Sequence, residues 1–181
     1  MNKLNKLAML ATVTLLPFAA AAASAQPAPP PAQPPAGPAL PLEYAAKFVC
    51  GENIAPGAST TLVAFGRYYT AVNIHSPSRR NRLTYKVVWA RQGATGQMTN
   101  FQPVMDLTYD QALDIDCRLI RARLQQAGIA LGPPNVFITG FLVVQSSEPL
   151  DVVAVYTAAP TTTNQVASIH TERVPMRQLR D

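Results

Sequence analysis

Apolar and polar residues alternate along several short segments of the chain, which is the pattern of β-strands that bury one face. The alternation is clearest over residues 66–75, where one face carries Tyr68, Thr70, Val72 and Ile74. Residues 43–50 and 82–91 alternate in the same way, and turn-forming residues such as Pro56-Gly57 separate these segments. The sequence therefore predicts a mainly β domain.

Residues 135–158 contain two runs of β-branched and aromatic residues on either side of a polar break that includes Pro149. Each run has the length and composition of a strand. The break has the length of a hairpin loop of more than two residues. We predict that this stretch is the central hairpin of an antiparallel β-sandwich, with a last strand over residues 167–174.

The segment from Thr108 to residue 128 supports two interpretations. Thr108 and Gln111 have the spacing of a helix capping box, whereas residues 112–116 alternate as a strand. Residues 117–127 then carry an apolar stripe at helical spacing, made of Cys117, Ile120 and Leu124. We predict a strand to Asp116 and one short helix over 117–127, with the Asp116 carboxylate as its N-cap.

The first 25 residues have the three parts of a secretory signal peptide: basic Lys3 and Lys6, an apolar stretch, and small residues before a cut at Gln26. The alternative, a membrane anchor, needs about 20 apolar residues, and the stretch here is short and contains Pro17. Residues 26–42 are rich in proline and alanine and predict a disordered linker. We place the sandwich domain at 43–174 and a polar tail at 175–181.

The charge of the chain is mildly basic. Removal of Lys3 and Lys6 with the signal peptide lowers the formal net charge from +5 to +3. A net charge of +3 is too low for the dense basic surface typical of nucleic-acid binders. No later stretch has the length and hydropathy of a transmembrane segment. The remaining expectation is an exported protein, either periplasmic or secreted to the medium or cell surface, with an unknown envelope protein or polymer as partner.

Two cysteines, Cys50 and Cys117, remain after cleavage. An even number of cysteines in an oxidising compartment favours a disulfide. Cys50 ends a predicted strand and Cys117 opens the predicted helix, so we predict that a Cys50–Cys117 bond joins these two elements. The alternative is two buried free thiols.

Five blocks of the sequence resemble those of a group of exported bacterial hypothetical proteins. The blocks begin at residues 44, 69, 115, 140 and 150, and read YAAKFVCG, YTAVNIHSP, IDC, GFLVVQS and LDVVAVYT. The resemblance covers nearly all of residues 44–174 and implies an immunoglobulin-like antiparallel β-sandwich. It brings no catalytic residues. The group often has a proline where this chain has Tyr109, which leaves the structure of residues 109–116 open.

Few residues suggest chemistry. The histidines, His75 and His170, lack the partners that a zinc site needs, and we interpret both as exposed. The acidic cluster of Asp110, Asp114 and Asp116 suggests a metal-dependent hydrolase, but its spacing does not match a calcium loop. We therefore expect no cofactor, no bound metal and no catalytic residues.

Arginines form two groups in the sequence. One group, Arg79, Arg80 and Arg82, lies in a predicted turn, and the other, Arg118, Arg121 and Arg123, lies on the predicted helix. If both groups faced the same way, they would form a patch that binds an anionic polymer or lipid. The alternative is two solvated surfaces. The sequence thus favours a non-catalytic interaction module, with the anion binder and the hydrolase as alternatives.

Overall fold

The computed structural model describes residues 40–54, 64–162 and 165–179. The predicted signal peptide, most of the linker and the turn at Pro56-Gly57 lie outside the described residues. In chain order the elements are β1 Leu42–Asn53, β2 Gly66–His75, β3 Arg80–Arg91, β4 Ala94–Met98, β5 Met105–Thr108, β6 Ala112–Asp116, α1 Cys117–Gln126, β7 Ile138–Ser146, β8 Asp151–Ala159, β9 Ser168–Arg173 and β10 Met176–Gln178.

These strands form two antiparallel sheets that share β1. The first sheet has β3, β7 and β1 at its centre, with β4 and β5 on the outer edge of β3 and β10 beside the start of β1. The second sheet has the order β6, β2, β8 and β9. Strand β1 pairs with β7 from Leu42 to Cys50 and then with β2 from Gly51 to Asn53. It therefore joins the two sheets.

The core lies between the sheets and consists of the residues that the alternation placed on one face of each strand. Strand β1 contributes Tyr44, Ala46, Phe48 and Cys50, β2 contributes Val72 and Ile74, and β3 contributes Leu83, Tyr85 and Val87. Helix α1 adds its predicted stripe of Cys117, Ile120 and Leu124. Each large apolar side chain that is fully buried stabilises the fold by about 1.5–3 kcal/mol. The predicted mainly β sandwich with one short helix is confirmed.

The predicted central hairpin is wrong, because β7 and β8 lie in different sheets. Strand β7 already has β1 and β3 as its neighbours, so no edge remains for β8. Residues 147–150 form an arch between the sheets that the buried Asn81 holds in place. Asn81 Nδ2 donates to the Glu148 oxygen at 2.9 Å, and its Oδ1 accepts from the Glu148 amide at 3.2 Å. The Leu150 amide donates to the Tyr44 hydroxyl at 2.7 Å.

The segment from Thr108 to Asp116 forms a turn and a strand. The Thr108 amide donates to Gln111 Oε1 at 2.9 Å, so the residues that resemble a capping box close a turn instead of starting a helix. Strand β6 follows and ends at Asp116, whose carboxylate accepts from the first amides of α1. The predicted cap is confirmed, and the helix ends one residue before its predicted end.

The two ends of α1 and β1 that carry the cysteines are covalently linked. Cys50 and Cys117 form a disulfide with their Cα atoms 5.7 Å apart, as predicted.

At the C-terminus, residues 176–178 form β10 against β1, so the folded part extends past Val174, where the sequence prediction ended it. Within the described ranges, no helix is long and apolar enough to cross a bilayer.

Candidate functional site

The two arginine groups lie in separate parts of the structure. The turn before β3 directly follows His75, and His75 pairs with Ala112, the first residue of β6. This turn therefore lies beside the start of β6. Helix α1 begins at the other end, directly after Asp116. The length of β6, about 13 Å at 3.3 Å per residue, separates the two places. Arg80 and Arg82 lie in β3 and not in the predicted turn. The structure therefore does not join Arg79, Arg80 and Arg82 with the helix group, Arg118, Arg121 and Arg123.

Two arginines of the helix group border a cleft of about 350 Å³, which we call the arginine cleft. Its walls come from the crossover of β1 at Gly51, the start of β2, the first turns of α1 and the loop before β7. Its polar and aromatic lining includes Arg67, Tyr68, Tyr69, Arg118, Arg121 and Asn135. Arg123 does not line it, because its Nε donates to the Tyr85 hydroxyl at 3.3 Å.

Arg121 is fixed by backbone oxygens. Its Nη2 donates to the Cys50 oxygen at 3.2 Å and to the Val136 oxygen. Burial lowers the pKa of Arg121, but a guanidinium still keeps its charge at neutral pH. No carboxylate in the described part of the chain forms an ion pair with it. Arg121 therefore carries a positive charge that only neutral groups of this region contact.

Asp116 organises the mouth of the cleft. Its Oδ1 accepts from the amides of Arg118 and Leu119, each at 2.9 Å, and its Oδ2 accepts from the Tyr69 hydroxyl and from Arg118 Nε. Burial opposes ionisation of Asp116, but these hydrogen bonds outweigh burial and lower its pKa to about 2. Burial and the Asp116 carboxylate together raise the pKa of Tyr69 to about 12. The carboxylate is thus charged and fully engaged at neutral pH.

Arg67 completes the positive lining from β2. Its Nε lies 2.9 Å from Glu52 Oε1, an ion pair between the two neighbouring strands β1 and β2. Arg118 points outward, with 88% of its side chain exposed, although it pairs with Asp116. The cleft region therefore holds three guanidinium groups against two carboxylates, and the surplus positive charge lies on Arg121.

The aspartate cluster does not act as a unit. Asp116 caps α1, Asp114 is exposed on β6, and Asp110 lies in the turn before β6 with a positive φ of 60°. No group of three or more histidine, cysteine or acidic residues with the geometry of a metal site occurs among residues 40–54, 64–162 and 165–179.

His75 lies between two carboxylates on the outer face of the second sheet. Its Nδ1 is 3.3 Å from Asp151 Oδ2, and its Nε2 is 3.2 Å from Asp110 Oδ1. Hydrogen bonds to Asp151 and Asp110 raise the pKa of His75. Asp151 also accepts from Arg173 Nη2 at 3.0 Å. Because both ring nitrogens face acceptors, the imidazolium form is favoured, and it bridges the turn before β6 to β8.

His170 stacks on Tyr156, with the ring centroids 6.1 Å apart. The Tyr156 hydroxyl lies 3.1 Å from both the Lys47 oxygen and Glu172 Oε2. Burial and the neighbouring Glu172 raise the pKa of Tyr156. The two contacts of the Tyr156 hydroxyl therefore link β8 to β1 and to β9.

Sequence reasoning missed Arg67, Tyr69 and the contact of His75 with Asp151. Alternation placed Tyr69 and His75 on the outer face correctly, but a face of a strand does not identify its neighbours. Asp151 lies 76 residues after His75, and Asp116 lies 47 residues after Tyr69. Only the pairing of β2 with β6 and β8 brings these residues together.

Comparisons with known proteins give little information about this fold. No protein-family model matches the chain, and no curated protein matches it. A solved structure, the crystal structure of Thermotoga maritima 1070, is similar at a TM-score of 0.37 and 8% sequence identity, and the match covers 71% of this chain and 91% of that chain. Similarity at this level carries no argument about function.

Proposed function

We propose that the protein is an exported, non-catalytic interaction domain that binds an anionic group of an envelope protein or polymer in the arginine cleft. The observation that supports it most strongly is the charge of Arg121, which no carboxylate of the described region balances. An anionic group in the cleft would supply that balance, and arginine suits carboxylate, sulfate and phosphate groups because its donors form a fork.

Export is supported by the signal-peptide features of residues 1–25 and by the disulfide, since structural disulfides persist mainly in oxidising compartments. The resemblance to exported bacterial proteins points the same way. We place the protein in the periplasm or at the cell surface.

A binding role fits the described side chains better than the hydrolase alternative. That alternative needs Asp110, Asp114 and Asp116 in one place, whereas Asp110 contacts His75 and Asp116 is occupied by Tyr69, Arg118 and the helix amides. The cleft instead offers fixed positive charge beside two tyrosine rings, which suits recognition of an anionic polymer.

The test is binding of heparin, as a sulfated polysaccharide, and of phosphatidylglycerol vesicles, as an anionic lipid, at low and high salt. Arg118→Gln should weaken binding by about 3- to 10-fold, or about 0.7–1.4 kcal/mol, because it removes an exposed donor at the cleft mouth. High salt should weaken binding by the unchanged protein.

The matched control is Arg80→Gln, which removes the same charge from an exposed arginine at the start of β3, outside the cleft. It should bind as the unchanged protein does. Equal losses in the two variants would indicate attraction to the net charge alone, and absence of binding to both probes would contradict an anion-binding role.

A further inference from the structure

Strand β9 lies at the edge of the second sheet, and its outer side is open. Strand β9 pairs with β8 on one side, and no other strand of the described chain pairs with it. All six residues of β9 are exposed, and Ile169 exposes 68% of its surface. The opposite edge of the molecule differs, because β4 contains Gly96 and pairs with β3 through a register shift. Irregularity of that kind protects an edge, and β9 lacks it.

The hydrogen bonds of β8 and β9 show which backbone groups face the open edge. The Val174 amide donates to the Val152 oxygen at 2.8 Å, and these two residues continue the β8–β9 register as a directly opposed pair. Alternate residues of an antiparallel strand turn their N–H and C=O groups to opposite sides. The backbone groups of Ser168, His170 and Glu172 therefore face β8, and those of Ile169, Thr171 and Arg173 face outward.

We propose that β9 pairs with β9 of a second copy of this chain, antiparallel, about a twofold axis at Thr171. The outward groups belong to odd-numbered residues, so a symmetric pairing must place odd residues opposite odd residues. An axis at Thr171 pairs Thr171 with its own copy and Ile169 with the copy's Arg173. The second sheets of the two copies then form one continuous sheet. The contact is isologous, because the same strand of each copy forms it.

The side chains favour this register over its two nearest competitors. With the axis at Thr171, each His170 lies opposite the Glu172 of the other copy, which is a complementary pair. With the axis at His170, two imidazoles would oppose one another, and with the axis at Glu172, two carboxylates would. Arg173 does not obstruct the pairing, because its guanidinium is held by Asp151 on the outer face. Strand β9 is therefore self-complementary in backbone and side chains.

The first test is sedimentation of the exported protein over a range of concentrations. Thr171→Pro removes an N–H that faces outward, so it leaves the β8–β9 hydrogen bonds intact while deleting two from the symmetric pair. The unchanged protein should dimerise, and Thr171→Pro should weaken association at least about 10-fold. Thr171→Val keeps the N–H and the branched side chain, and it should dimerise normally.

The second test fixes the register and does not depend on the proline variant. In Thr171→Cys, the two Cα atoms should lie about 5.5 Å apart across the axis, within disulfide range, so oxidation should link two chains. Ile169→Cys should not link to its own copy, because about 13 Å along the strand separates the two sites. Monomeric protein at every concentration, or linkage through position 169 and not 171, would overturn the proposal.

Discussion

Gly51 occupies the point where β1 leaves the first sheet for the second, and its surroundings exclude a side chain. Its φ is +104°, which residues with a Cβ rarely adopt. A Cβ here would lie 2.4 Å from the Val136 oxygen, 2.8 Å from the Asn135 oxygen and 2.5 Å from Arg121 Nη2. The crossover of β1 and the position of Arg121 therefore both depend on this glycine.

We expect Gly51→Ala to lower the free energy of unfolding by about 2–4 kcal/mol, because it adds both backbone strain and steric overlap. Gly128→Ala is the matched control, since Gly128 has a φ of +76° but open space around it. Gly128→Ala should lower the free energy of unfolding only by the backbone strain, about 1–2 kcal/mol. Urea denaturation of both variants measures the difference, and equal losses would show that the space at Gly51 does not matter.

His75 makes part of the stability dependent on pH. Its folded-state pKa is raised above 6.5 by Asp151 and Asp110, so its contribution is fully present below the unfolded pKa and is lost as pH rises through the folded pKa. The melting temperature of His75→Gln should therefore fall short of that of the unchanged protein at acidic pH and approach it at alkaline pH.

An NMR titration of the His75 ring checks the cause directly. Asp151→Asn should lower the titration midpoint toward the ordinary value for histidine, because the hydrogen bond to Asp151 raises the pKa of His75. If the midpoint did not move in Asp151→Asn, the raised pKa of His75 would have to come from another group.

Whether a side-chain contact could be predicted depended on its separation along the chain. The Asp116 cap was predicted, because its amide donors lie two and three residues away on the same segment. The bridge from His75 to Asp151 could not be, because it depends on strand pairing across the sheet.

At the scale of elements, hydrophobic alternation identified the strands but not their neighbours. Strands β7 and β8 follow one another with a short break, which is the usual signal of a hairpin. The buried amide of Asn81 and the hydroxyl of Tyr44 hold that break as an arch between sheets instead. Polar contacts of this kind come from distant strands, so the local sequence does not reveal them.

The disulfide couples α1 to β1, and its removal should destabilise both elements. The two cysteines are 67 residues apart, for which the chain-entropy model gives a stabilisation of about 4 kcal/mol. Cys50→Ser and Cys117→Ser should lower the melting temperature by similar amounts, and the double variant should cost little more than either.

Reduction of the unchanged protein provides the control for that comparison. Its melting temperature in reductant should match that of the double variant, since both lack the same bond. A much larger loss in one single variant would instead indicate that its remaining thiol or the new hydroxyl disturbs packing.

At the scale of the whole molecule, β1 is the strand on which both sheets depend. Its residues pair with β7, with β10 and with β2, so the first strand of the sandwich contacts elements from across the chain. The sequence predicted the sandwich and its core faces from period-two alternation. It could not predict that one strand serves both sheets, because the crossover depends on a positive φ at Gly51, which the residue type alone does not reveal.

The position of β1 also determines when the chain can fold. Leu42 pairs with Ser146 and with Gln178, so the first strand has its main partners only near the end of the chain. Contacts between distant segments slow folding, and sandwiches typically fold in roughly milliseconds to seconds. Strand β1 therefore cannot complete its pairing until the strands near the end of the chain are available. With the export proposed above, we expect the chain to fold after translocation and not during it.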